Sequence, residues 1–210
     1  MVLCLCAAVP AYTASACANA SSGAGVPSGY AAVVQGVEGG AGLLSMQLFD
    51  KRVPQVRAER RATGVTNRSS AGEEALRQLL EEVEVEAETE RLGIHLEQRR
   101  VTKAFRQIKQ HDFPSIASFH DYLRRVRLSE AESRRRIEVQ ILSERIEEHV
   151  LDGVPESRRS VAMGHWADWY LGKWRARTNC RQNLATDRCS NGPPLSRETD
   201  SGFAGGPAPR

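Results

Sequence analysis

SAGEEALRQLLEEVEVEAETERLGI, residues 70–94, is the stretch that decides the class of fold. Ser70 followed by Glu73 is a capping box, in which the hydroxyl accepts from the backbone of residue 73 and the carboxylate reaches back. Leu76, Leu79, Leu80, Val83 and Ala87 then recur at helical spacing, so one face is apolar. Gly93 stops the helix after Leu92, as glycine does at a left-handed C-terminal position.

The same grammar repeats downstream. Val101, Ala104, Phe105 and Ile108 predict a second helix, ended by Asp112 to Pro114. A short third helix begins near Ser115 and presents Ile116, Phe119, Leu123 and Val126. Ser129 and Glu132 make a second capping box. It opens a fourth helix that runs to about Leu151, with Val139, Leu142, Ile146 and Val150 on its inner stripe. Gly153 and Pro155 close it. A fifth helix, from about Glu156 to Ala176, holds all three tryptophans. The expected fold is mainly α, a helical domain of about five helices.

Upstream the pattern changes. Tyr30 to Val37 (YAAVVQGV) has the β-branched character of one short N-terminal strand, followed by a link at Gly39, Gly40 and Gly42. Leu43 to Arg61 could be a helix, but Pro54 is expected to break it. The resulting organisation is a leader at 1–16, a flexible tether at 17–29, a helical domain at 30–178, a disulfide-closed loop at 179–190 and a disordered tail at 191–210.

Composition narrows the function. A chain of 210 residues suits one domain with flexible ends, and its 40% apolar and 26% charged residues are ordinary for a globular protein. The net charge of +3 is too small to argue for nucleic acid, but it is unevenly spread. Residues 73–90 hold eight Glu and one Arg, whereas residues 91–136 hold twelve Lys or Arg against five acids. The simplest expectation is an acidic helix lying against basic neighbours. The run Arg134, Arg135, Arg136 covers three directions of a helix, so at least one is expected to face solvent.

Cysteine usage points the same way as the leader. Cys4, Cys6 and Cys17 lie near the N-terminus, and Cys180 and Cys189 near the C-terminus. Once the leader is removed, the last two remain, which suits one disulfide in an oxidising compartment. Two free thiols in a frayed tail are the alternative. MVLCLCAAVPAYTASA, residues 1–16, is apolar and too short to span a membrane. It resembles a secretory signal whose Ala14-Ser15-Ala16-Cys17 ending is similar to a bacterial lipobox, making Cys17 the expected lipid-attachment residue. Such signals begin with positive charge, yet the first basic residue is Lys51, so either the start lies upstream of Met1, which is the expectation, or the segment is not a signal.

The phrases ALRQLLEEVEVEAETERLGI and VTKAFRQIKQHDFPSIASFHDYLRRVRLSEAESRRRIEVQILSERI resemble the N-terminal substrate-binding domain of the SurA, PrsA and trigger-factor chaperones. VPSGYAAVVQGV looks like that family's opening strand, and YLGKWRARTNC with DRCSN is similar to the C-terminal signature of exported foldases. The resemblance implies a trigger factor/SurA peptide-binding-like domain that holds unfolded or newly exported polypeptides outside the cytoplasmic membrane, anchored there by lipid. The parvulin isomerase module of the full-length family has no counterpart, because only residues 152–165 separate Leu151 from Trp166. The expectation is a holdase-type chaperone without prolyl isomerisation, cofactor or metal, and without nucleic acid as a partner.

A holdase needs exposed apolar surface. Trp166, Trp169, Tyr170 and Trp174 lie along one helix at spacings of three, four and eight, and Phe105, Phe119 and Tyr122, with Phe113, form a second aromatic group. For each, core packing competes with a place on a peptide-binding cradle. His95, His111, His120, His149 and His165 include no metal pair at helical spacing, and no nucleophile elbow or phosphate-binding loop is present. Two other classes remain. A helical DNA-binding regulator would use arginines 124, 125, 127 and 134–136, and an isomerase-related foldase would need an unrecognised site.

Overall fold

A computed structural model of the chain describes residues 25–37, 42–66 and 69–195. The leader, Cys17, Gly39, Gly40 and residues 196–210 lie outside the described residues. The fold is mainly α. Among the described residues there are six α-helices and a three-stranded sheet: β1 (Tyr30–Val34), β2 (Leu43–Ser45), α1 (Met46–Thr63), α2 (Ala71–Arg91), α3 (Gln98–His111), α4 (Ile116–Val126), α5 (Glu130–Val150), α6 (Arg159–Arg177) and β3 (Thr178–Cys180). Short 3-10 turns at Glu156–Arg158 and Gln182–Leu184 flank α6 and β3.

The helix punctuation works as its chemistry requires. Ser70, Ser115 and Ser129 all cap with reciprocal bonds, the third-position partners being Glu73, Ser118 and Glu132. At the end of α2, Gly93 takes φ 65°. Ile94 N–H then donates to Thr89 O at 2.8 Å and Gly93 N–H to Glu90 O at 3.0 Å, a Schellman closure.

Two expectations are corrected. The single strand is the centre of a sheet ordered β2-β1-β3, antiparallel throughout, with Ala32 opposite Leu44 on one side and Cys180 on the other. The start of the disulfide loop is therefore a strand. Second, α1 continues through Pro54. The lost bond and ring clash cost about 3 kcal/mol, but Phe49, Val56 and Ala58 on either side are buried where α1 packs on α2 and α4. Burial of roughly 1.5–3 kcal/mol per large side chain offsets that cost.

α2 is the central element. Leu76, Leu79, Leu80 and Val83 enter the larger core cluster with Ala31, Ala32, Val34, Tyr170 and Trp174, while Val85 joins Val139, Leu142 and Ile146 in the smaller one. The acidic helix does lie against basic neighbours: Arg52 of α1 pairs with Glu82 at 2.8 Å, and Arg135 of α5 pairs with Glu86. The arginine run bridges three helices while staying partly open to solvent. All three are half-buried and each bonds a different helix: Arg134 donates to Thr102 of α3 at 2.6 Å, Arg135 to Glu86 of α2 and Arg136 to Glu59 of α1.

Candidate functional site

The hairpin of α3 and α4 combines an incompletely covered apolar stripe with an exposed isoleucine. α3 repeats Val101, Ala104, Phe105 and Ile108 along one stripe, yet of its 14 residues only Val101 is buried. The helix packs on α5 and leaves Ala104, Phe105 and Ile108 half-covered. Asp112 to Ser115 turn the chain, the Ser115 cap starts α4, and Ile116 at its first position is 67% exposed.

Aromatic rings fasten the two helices together. Phe105 and Phe113 meet Phe119 edge-on, at centroid distances of 5.7 and 5.2 Å, and Phe113 lies 5.3 Å from Tyr122. Lys109 Nζ stands 4.6 Å from the centre of Phe119 and 5.3 Å from that of Phe105, and also pairs with Glu130 at 2.7 Å. The hydrogen bond and charge of Lys109 hold the Glu130 carboxyl below its ordinary range. Burial, reinforced by the Glu59 carboxylate, pushes the Tyr122 phenol up. A shallow depression at the end of α3 is lined by Gln107, Ile108, Gln110, His111 and Asp112.

The seven aromatic residues expected on a cradle are sorted by the structure into different environments. Phe119, Tyr170 and Trp174 are buried to within 2% and act as core; the helix stripe of Trp166, Tyr170 and Trp174 turns inward. Phe105, Tyr122 and Trp166 are half-buried. Trp169 is 49% exposed and packs between Arg91 and Lys173, whose charged groups lie 5.7 and 5.0 Å from its ring. It leaves the stripe because its position is about 100° or more around the helix from those of Tyr170 and Trp174. The arginines of the helix-turn-helix alternative are partly consumed, since Arg134, Arg135 and Arg136 are held between helices.

Cys180 and Cys189 form a disulfide with their Cα atoms 5.7 Å apart. Cys17 lies outside the described residues. Among the described residues no cluster of three or more His, Cys, Asp or Glu could hold a metal, and no helix is long and apolar enough to cross a membrane. A buried polar group escaped the sequence reading: Glu84 and Glu88 are fully enclosed on α2. Glu88 pairs with Arg91 at 2.7 Å and with Lys173, and these bonds outweigh burial and lower its carboxyl. The available signal was spacing, because Glu84 continues the Leu76–Leu80 row at steps of four.

Compared with protein-family models, curated proteins and solved structures, the chain matches none.

Proposed function

We propose that the protein is an extracytoplasmic holdase-type chaperone that binds unfolded or newly exported polypeptides on the α3–α4 hairpin, without prolyl isomerisation. The observation that carries the reading is the incompletely covered stripe of α3, continued by the exposed Ile116 of α4. Such surface is what a weak, sequence-tolerant binder of extended chains requires. Trp169 supplies a second apolar position on α6. The Cys180–Cys189 disulfide supports an oxidising compartment, and the lipobox-like Cys17 supports anchoring at the outer face of the cytoplasmic membrane.

The test is suppression of aggregation of a reduced, unfolded client by the oxidised protein, beside a proline-limited refolding assay. Suppression without acceleration of refolding is expected. Ile116→Asp is expected to weaken suppression while leaving the fold intact, because the side chain is already solvated on the surface. Absence of suppression by the parent protein, with native circular dichroism, would sink the reading.

A further inference from the structure

Glu84 has no solvent exposure and lies on α2 next to Val83 and one turn after Leu80, both residues of the larger core. A carboxylate there has lost its hydration, and burial pushes its carboxyl up against the opposing charge of Arg188. Among the described residues Arg188 is its only ion-pair partner. Tyr170 lies in the same field, its phenol pushed well above the ordinary range by burial and by Glu84.

Arg188 does not come from a packed helix. It belongs to the segment between the two cysteines and directly precedes Cys189. That segment contains only the 3-10 turn at Gln182–Leu184. One end of the bridge is built into the sheet: Cys180 faces Ala32 of the central strand, and the Asn191 side chain accepts from Cys180 N–H at 3.0 Å and donates to Cys180 O at 2.7 Å. The other end carries the arginine. Arg175 of α6 also holds the segment, donating to Asp187 O, Gly192 O and Pro193 O, and the bridge adds a covalent tether that lowers the cost of ordering the cation at a buried site.

We propose that the Cys180–Cys189 bridge is an oxidation-dependent folding latch, which seats Arg188 against Glu84 and without which the α2–α6 core must enclose an uncompensated carboxylate. Closing it converts two thiols to one disulfide, with two protons and two electrons passing to a small-molecule disulfide such as oxidised glutathione, itself reduced to two thiols. Both half-cystines are buried, so closure belongs to folding rather than to later cycling by thiols in solution.

The loop-entropy contribution of the bridge is the same whatever residue occupies position 84, which lets the latch be separated from an ordinary disulfide. Urea unfolding of the full chain is measured for the parent, C180A/C189A, E84Q and C180A/C189A/E84Q. Loss of the bridge is expected to lower the folding constant at least about tenfold more with Glu84 than with Gln at that position. Equal losses in the two backgrounds overturn the proposal. If C180A/C189A does not fold, Arg188→Met in the bridged chain reads the Glu84–Arg188 pairing on which the latch depends. It is expected to lower the folding constant about a hundredfold or more, with Glu84→Gln restoring most of the loss. A bridged Arg188→Met chain as stable as the parent, or one that Glu84→Gln does not rescue, overturns it equally.

Discussion

Gln55 of α1 donates from Nε2 to the backbone oxygen of Arg127, at 3.0 Å, and to Glu132 Oε1, at 2.8 Å. Arg127 is the one non-glycine residue with positive φ among the described residues, at 59°. It ends α4 in a Schellman closure, Leu128 N–H donating to Leu123 O at 3.0 Å. The buried amide of Gln55 thus ties α1 to the α4–α5 junction at its most strained residue. Left-handed backbone costs an L-residue about 1 kcal/mol.

Arg127→Gly is expected to stabilise the protein by about 0.5–1 kcal/mol, because the side chain is exposed to solvent while the φ strain is relieved. Gln55→Ala is expected to destabilise it by roughly 1–3 kcal/mol, since two acceptors lose their donor in a shielded site. Urea midpoints at neutral pH read both changes.

Glu132 gives the acid limb of stability a definite window. Burial opposes its charge, but hydrogen bonds from Ser129, Gln55 and Lys51 win and hold its carboxyl at about 2. A folded value below the unfolded one means that the ionised form favours folding. Its contribution is full above the ordinary carboxylate range of 4.5 and is lost as the pH falls from there toward about 2. Glu132→Gln is expected to flatten the stability curve across that window, measured by thermal melts from pH 2 to 6. Glu84 acts with the opposite sign: its raised carboxyl favours the protonated fold, so its contribution improves as the pH falls.

Two arginines of α5 predict a graded pair of effects. Arg136→Ala removes the bond to Glu59 between α5 and α1, in a pair with both side chains largely shielded. A loss of about 1–3 kcal/mol is expected. Arg145→Ala breaks an exposed i,i+3 pair with Glu148 on the same helix and is expected to cost less than about 0.5 kcal/mol. Raising the salt should erase the second difference and leave most of the first.

Two tryptophans on α6 should separate cleanly. Trp174→Ala is expected to cost about 3–5 kcal/mol because the ring is 1% exposed in the core. Trp169→Ala is expected to cost less than about 1 kcal/mol, since about half of the residue is already exposed. Quenching by iodide should act on Trp169 and spare Trp174.

Much of this architecture could be read locally. α2 and α5 were legible because a Ser-to-Glu capping box and a stripe at helical spacing are short-range signals. The disulfide was legible because Cys180 and Cys189 are close in sequence. The strands β2 and β3 were not, being three residues each and defined only by pairing with β1, from residues 43 and 178 onward. Of the candidate surface, the aromatic positions were visible; which way each faced was not.

What the sequence by itself determined is the mainly helical class, the caps and ends of most helices and the cysteine pair, since each depends on neighbours within about one to three turns. What only the tertiary structure decided is the fate of groups whose partners are distant along the chain. Pro54 stays helical because two other helices cover its neighbours. Trp169 faces water while Trp174, five residues on, fills the core. Glu84 is enclosed and finds its countercharge in Arg188, more than a hundred residues away, because desolvating a charge is tolerable only where the fold brings an opposite one to meet it.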